Sequence, residues 1–119
     1  MTAGRYDITC EQGASFIRII KLYDSVDEPR DLTGYEARMH VRRTKNASST
    51  LIELSTENGR IIIEPTADMP LGAIQLVLSA EETSYLTDEG VYDLELIAPD
   101  LSVERVMQGK FKLDLEVTR

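Results

Sequence analysis

The residue types able to do chemistry are few in this chain, and their spacing does not suit it. His40 is the single histidine, so no paired-histidine metal motif and no triad with a second base to hand can be built easily. It shares a parity with Glu36, Arg38 and Arg42 and reads as a solvated strand residue. Cys10 is the single cysteine, which permits neither an internal disulfide nor a thiolate cage for a metal. A reactive thiol needs a basic neighbour to favour the thiolate. Cys10 instead shares a parity with Tyr6 and Ile8, which makes it a small buried hydrophobe. Asp24, Asp27, Glu28 and Asp31 gather around a turn without the spacing of a calcium loop, and Pro29-Arg30 suits a plain solvated turn. Glu81, Glu82, Asp88 and Glu89 are helix-end and turn carboxylates, whereas glycoside hydrolysis needs two carboxylates across a cleft. No phosphate-cradling glycine loop of either common type occurs. The expectation is a protein that is not an enzyme and that takes no metal and no cofactor.

One cluster points to binding. Arg38, Arg42, Arg43 and Lys45 are concentrated in a chain whose net charge is −8. An acidic surface repels phosphate backbones, so nucleic acid is not the expected partner. A basic patch on such a surface suits docking of an acidic partner, where charge complementarity orients assembly more than it adds affinity. The plainer alternative is a solvated strand face running into the polar, Ser-rich stretch 42–50, the best candidate for a mobile loop. Asn46-Ala47-Ser48 fits a glycosylation acceptor, which matters only in a secretory pathway.

The elements that must position these residues are strands. At 119 residues the chain suits one domain, 1–119, able to bury a single aliphatic core. The N-terminus lacks a signal-peptide core and no apolar run is long enough to span a membrane, so no membrane partner is expected. Tyr92, Leu94 and Leu96 alternate with Asp93 and Glu95. Phe111, Leu113, Leu115 and Val117 alternate with Lys112, Asp114 and Glu116. Tyr35, Ala37, Met39 and Val41 are the apolar set of 35–43, and Ile74, Leu76 and Leu78 alternate with Gln75 and Val77. Such period-two segments are half-buried antiparallel strands. Further strands are expected near Arg5–Glu11, Ser15–Tyr23, Leu51–Ser55 and Arg60–Glu64. Short strands at regular spacing predict a sandwich or a small closed barrel. Glu57-Asn58-Gly59 predicts a hairpin joining Leu51–Ser55 to Arg60–Glu64. Ser79 and Glu82 form a capping box that should start a short helix crossing between strands on opposite sides.

After that helix comes Asp88-x-Gly90-x-Tyr92, opening the next strand. The segment Ile74–Leu96 resembles the E–F corner of immunoglobulin-like domains. In that pattern the Gly allows a tight swing, and the Tyr buries its ring while its hydroxyl bonds upstream backbone. Leu94 stands where antibody domains carry a Cys, so their inter-sheet disulfide is impossible here. The expected fold is therefore all-β, an immunoglobulin-like antiparallel β-sandwich of about seven or eight strands with one short helical crossover. Tyr6, Ile8, Met39, Leu76, Leu78, Tyr92, Leu94, Leu96, Phe111, Leu113 and Leu115 should form its core.

A broader resemblance rests on four segments: R-Y-D-I-x-x-E-Q-G-A-S-F at 5–16, P-R-D-L-T-G-Y-E-A-R-M at 29–39, G-V-Y-D-L-E-L at 90–96, and the closing Q-G-K-F-K-L-D-L-E-V-T-R. Their order is similar to small bacteriophage virion proteins encoded among tail genes, and to the N-terminal domain of phage baseplate upper proteins. The resemblance implies a structural component of a virion, made in the host cytoplasm. Its place would be a tail or baseplate attachment protein whose partners are other virion proteins and its own copies. Members carry a fibre or oligomerising segment after the sandwich, so any receptor-binding part is expected on another polypeptide. Capsid or collar decoration, or a carbohydrate- or receptor-binding module, are the alternatives. Assembly is expected to use sheet edges, with Arg5–Glu11 and Lys110–Val117 as the candidate edge strands and Lys110 and Lys112 as gatekeepers.

Overall fold

A computed structural model describes residues 4–25, 28–63 and 72–118 of the protein. The six-stranded sheet contains β1 (Gly4–Arg5), β2 (Ile8–Glu11), β6 (Glu36–Arg42), β7 (Ile52–Ser55), β10 (Gly90–Ile97) and β11 (Val103–Asp114). Its order runs β1-β11-β10-β6-β7, with β2 following β1 along the same side of β11. The facing sheet has three strands in the order β3-β9-β8: β3 (Phe16–Lys21), β9 (Ala73–Leu78) and β8 (Ile61–Ile62). A small ribbon of β4 (Tyr23–Ser25) and β5 (Glu28–Pro29) extends from the end of β3. The architecture is the expected immunoglobulin-like sandwich, with the strands of one face divided more finely than foreseen.

Alternation builds the core as the sequence implies. Met39, Val41, Leu94, Leu96 and Phe111 from one sheet meet Ile74, Leu76 and Leu78 from the other, all essentially inaccessible to water. Cys10 joins them, and burial pushes its thiol up to about 11. The crossover helix α1 (Ala80–Ser84) starts at the expected capping box: Glu82 N–H donates to Ser79 Oγ at 3.1 Å, and Ser79 N–H donates to Glu82 Oε1 at 2.8 Å. Thr83 is its buried residue. It donates to the Ala14 carbonyl at 2.8 Å, tying the helix to the turn after β2.

Four expectations fail for identifiable reasons. First, the sandwich is not wholly antiparallel, because β1 and β2 both run parallel to β11. Second, Leu51–Ser55 and Arg60–Glu64 do not form a hairpin. The strand β7 pairs with β6 in one sheet and β8 pairs with β9 in the other. Asn58 and Gly59 do make the turn, with Gly59 at φ 81°, but it carries the chain from sheet to sheet. Glu64 lies outside the described residues. Third, Tyr6 and Leu115 are outside the core, at 41% and 62% exposure. The ladder breaks between β1 and β2, where the Asp7 carboxylate replaces backbone as acceptor for Lys110 N–H, and Tyr6 turns outward. Leu115 falls just beyond β11, which stops where its partner β2 stops. Fourth, Lys110 and Phe111 are not at an edge, because β10 lies on one side of β11 and the N-terminal strands on the other. Residues 112–114 run past the start of β10 and pair with β2 alone, the Glu89 carboxylate taking Leu113 N–H on the other side. Lys110 therefore sits within the sheet and guards no open edge, while Lys112 pairs with Thr9 of β2 and has no β10 residue opposite it.

Candidate docking face

The outward side of the six-stranded sheet is a charged lattice set by register. On β10 the outward residues are Val91, Asp93 and Glu95. Opposite them on β6 stand Arg42, His40 and Arg38 respectively. On the other flank, β11 places Lys110 opposite Val91, Gln108 opposite Asp93 and Arg105 opposite Glu95. That last pairing depends on a β-bulge between Leu94 and Glu95, where Val106 is the extra residue on β11. Strict alternation from the buried Met107 would send Arg105 inward. The bulge reverses the parity and delivers it to the outer face, 3.4 Å from Asp93.

The result is a shallow depression of about 430 Å³ centred on Val91 and Asp93. Five cations line it, Arg5, Arg42, Lys45, Arg105 and Lys110, against two carboxylates, Asp93 and Glu95. In a chain of net charge −8 this is a local reversal of sign. Among the described residues, neither Lys45 nor Lys110 has a carboxylate within ion-pair distance. Arg42 is preorganised: one guanidinium nitrogen donates to the Ala47 carbonyl at 2.9 Å and another lies 3.3 Å from His40 Nδ1. His40 Nε2 in turn lies 3.5 Å from Glu53. The stretch 42–50 is accordingly pinned at its middle by Arg42, and Ala47 N–H closes a turn onto the Thr44 carbonyl.

The basic cluster read from the sequence divides in two. Arg42 and Lys45 line the depression. Arg38 is engaged by Glu95 at 2.8 Å and Arg43 by Asp88 at 2.6 Å, so their charges are largely answered within the chain. Arg5, Arg105 and Lys110 complete the set and escape a linear reading. They come from β1 and β11, far in sequence and brought beside β10 by pairing, and Arg105 needs the bulge besides.

The corner residues hold the fold, in ways other than expected. Gly90 is required by crowding: a Cβ there would stand 2.1 Å from the Arg42 carbonyl oxygen. The Tyr92 ring is buried and burial raises its phenol well above the ordinary range. Its hydroxyl donates to the Tyr6 carbonyl, 86 residues upstream, so it pins the N-terminal strand and does not close the corner. The corner itself is fastened by Asp88 to Arg43 and by Glu89, whose carboxylate accepts from Leu113 N–H at 2.9 Å.

Of the acidic turn, Asp31 caps its own turn, accepting from Thr33 N–H at 3.0 Å and Thr33 Oγ1 at 2.6 Å. Those two donors hold its carboxyl below the usual range. Asp27 lies outside the described residues, as does the Asp24 side chain. Among the described residues no three His, Cys, Asp or Glu side chains are grouped to hold a metal ion, and no helix is long and apolar enough to cross a membrane.

No family model matches the sequence, and no curated protein does. Among solved structures, one reported under photo-crosslinking analyses of multimeric cell-adhesive interactions of VGSC beta subunits superposes with a TM-score of 0.50. It covers 99% of this chain and 98% of that one at 14% identity. At that identity the likeness is one of fold: the chain has an all-β, immunoglobulin-like sandwich.

Proposed function

We propose that this chain is a non-enzymatic attachment protein of a bacteriophage virion, of tail or baseplate type, that docks acidic surfaces of neighbouring virion proteins. The observation that carries the docking is the cationic depression around Val91, five cations against two carboxylates on an acidic protein. Two of its lysines have no ion-pair partner among the described residues, so an incoming carboxylate meets charge that no internal salt bridge has answered. Such a surface raises encounter rates with acidic partners and penalises basic ones. The particle itself is supported by the resemblance of 5–16, 29–39 and 108–119 to small tail-gene products and baseplate upper proteins.

A glycan-binding module is the second reading, and one observation favours it. Tyr85, 76% exposed, lines a separate depression with Glu53, Glu81, Arg60 and Leu86. It supplies the single aromatic ring there, which gives a sugar one stacking face and no platform.

Cross-linking mass spectrometry on purified particles tests the first reading. Links from Lys45 and Lys110 to acidic segments of other virion proteins are the expected result. Absence of the chain from the particles, or links confined to the Tyr85 side, would overturn it.

A further inference from the structure

Among the described residues of the two facing sheets, side chains reach over the β7 and β2 edges, the β8 edge is short, and the β3 edge is bare. At β7, Thr56 N–H donates to the Ala37 carbonyl and, stepping by two, Leu54 and Ile52 also bond to β6, so Glu53 and Ser55 present their backbone groups to the open side. There Asn58 Nδ2 and Arg60 Nη1 donate to the Glu53 carbonyl at 3.0 and 2.8 Å, while Ser55 N–H donates to Asn58 Oδ1 at 3.0 Å. Along β2, Arg18 reaches over from the other sheet to the Thr9 carbonyl at 3.4 Å and to the Tyr6 hydroxyl at 2.7 Å. The edge strand β8 is two residues long. The remaining edge is β3, six residues of sequence FIRIIK.

Register fixes which groups β3 leaves open. Leu22 N–H donates to the Gly72 carbonyl at 2.9 Å, which makes that pair a hydrogen-bonded one. Stepping by two, Ile20, Arg18 and Phe16 bond to β9. Ile17, Ile19 and Lys21 therefore turn their backbone N–H and C=O away from the sheet, and among the described residues nothing answers them. The same residues carry the outward side chains, with Ile17 at 59% and Ile19 at 45% exposure. Natural edges of this length are normally blunted. Here two isoleucines flank open backbone groups.

We propose that β3 pairs with β3 of a second copy, antiparallel about a two-fold axis through Ile19, giving one continuous sheet across the dimer. The sequence is self-complementary in that register. Ile19 faces Ile19 of the partner subunit, and Ile17 faces Lys21 of the partner subunit, whose aliphatic stem covers it. Arg18 faces Ile20 of the partner subunit. No like charges stand opposite one another, and all three open residues exchange hydrogen bonds. Shifting the pairing by one step, to an axis through Arg18, would oppose two arginines and leave Lys21 unpaired. An isologous contact of this kind closes on itself and does not propagate.

Sedimentation velocity on the full chain tests this, with apparent mass expected to double as concentration rises. Ile19→Lys sets two ammonium groups face to face and should return the protein to monomer. Its circular dichroism should stay unchanged, because the side chain is outward in the single copy. Under mild oxidation Ile19→Cys should cross-link to a covalent dimer, since paired Cα atoms lie about 5.5 Å apart in such a ladder, within disulfide reach. Ile17→Cys faces Lys21 of the partner subunit and should not cross-link. A wild-type chain that stays monomeric at every concentration overturns the proposal. So does a dimer that survives Ile19→Lys, or one that Ile17→Cys traps as readily as Ile19→Cys. None of these outcomes bears on the cationic depression, which lies on the other sheet.

Discussion

Replacing Tyr92 by Phe removes one oxygen atom from the core and leaves the ring in place. The lost group is the donor to the Tyr6 carbonyl, the bond that pins the N-terminal strand from inside the sandwich. A neutral intramolecular hydrogen bond is worth about 1 kcal/mol net, and a partly buried acceptor left unpaired adds up to about 1 kcal/mol more. The expected loss is thus about 1–2 kcal/mol, or a fall in Tm of about 4–8 °C for a domain of this size. Thermal unfolding followed by circular dichroism measures it. Hydrogen exchange then localises it. Amides of β2 that pair with β11, together with Tyr6 N–H, which donates to the Gln108 carbonyl at 2.9 Å, should exchange faster. The β6–β10 amides should keep their protection. A Tyr92→Phe chain that melts with wild type would refute the pin. Loss of protection spread evenly over the sheet would refute it equally.

Gly90→Ala should be the harsher change, about 2 kcal/mol or more, because the added Cβ meets the backbone oxygen of Arg42, which no rotamer can move away; urea unfolding of the purified variant checks it. Acid should destabilise the fold through Glu104 and Glu82, whose carboxyls are held below the usual range, by the Arg30 guanidinium and by Ser79 N–H respectively. A depressed native pKa stabilises the fold above the unfolded value, and that contribution disappears as pH falls through the native one. Stability should therefore be level near neutrality and drop below about pH 4, and Glu104→Gln should lower the plateau and shrink that drop in pH-dependent melts. Cys10, with its thiol pushed up to about 11, should resist thiol reagents at neutral pH until urea unfolds the chain; reaction in the native baseline would contradict its burial.

Much of the sandwich was legible because burial imposes a period of two, and the apolar parity of 36–42, 90–97 and 107–113 is unbroken. The capping box was legible because its two hydrogen bonds are local. What failed was non-local. Asn58-Gly59 specifies a turn but not which sheet the next strand enters, so a correct turn yielded a wrong pairing. Tyr6 kept its parity in the sequence and lost it in space, because the break at Asp7 reorients the chain. The depression was half visible: Arg42 and Lys45 lie close together in the chain, whereas Lys110 arrives through the antiparallel pairing of β11 with β10 and Arg5 through the parallel pairing of β1 with β11. Arg105 was hidden altogether, since its parity is that of a core residue until a bulge reverses it.

The most direct measurement is incorporation of the doubly charge-reversed chain Lys45→Glu/Lys110→Glu into particles. Both side chains are exposed and without ion-pair partners among the described residues, so folding should be unaffected, with surface changes of this kind costing about 0.5 kcal/mol or less. Quantitative mass spectrometry of purified particles should then find the variant well below wild-type copy number, with its melting temperature in solution unchanged. A variant that folds normally and assembles at wild-type copy number would show that the cationic depression docks nothing.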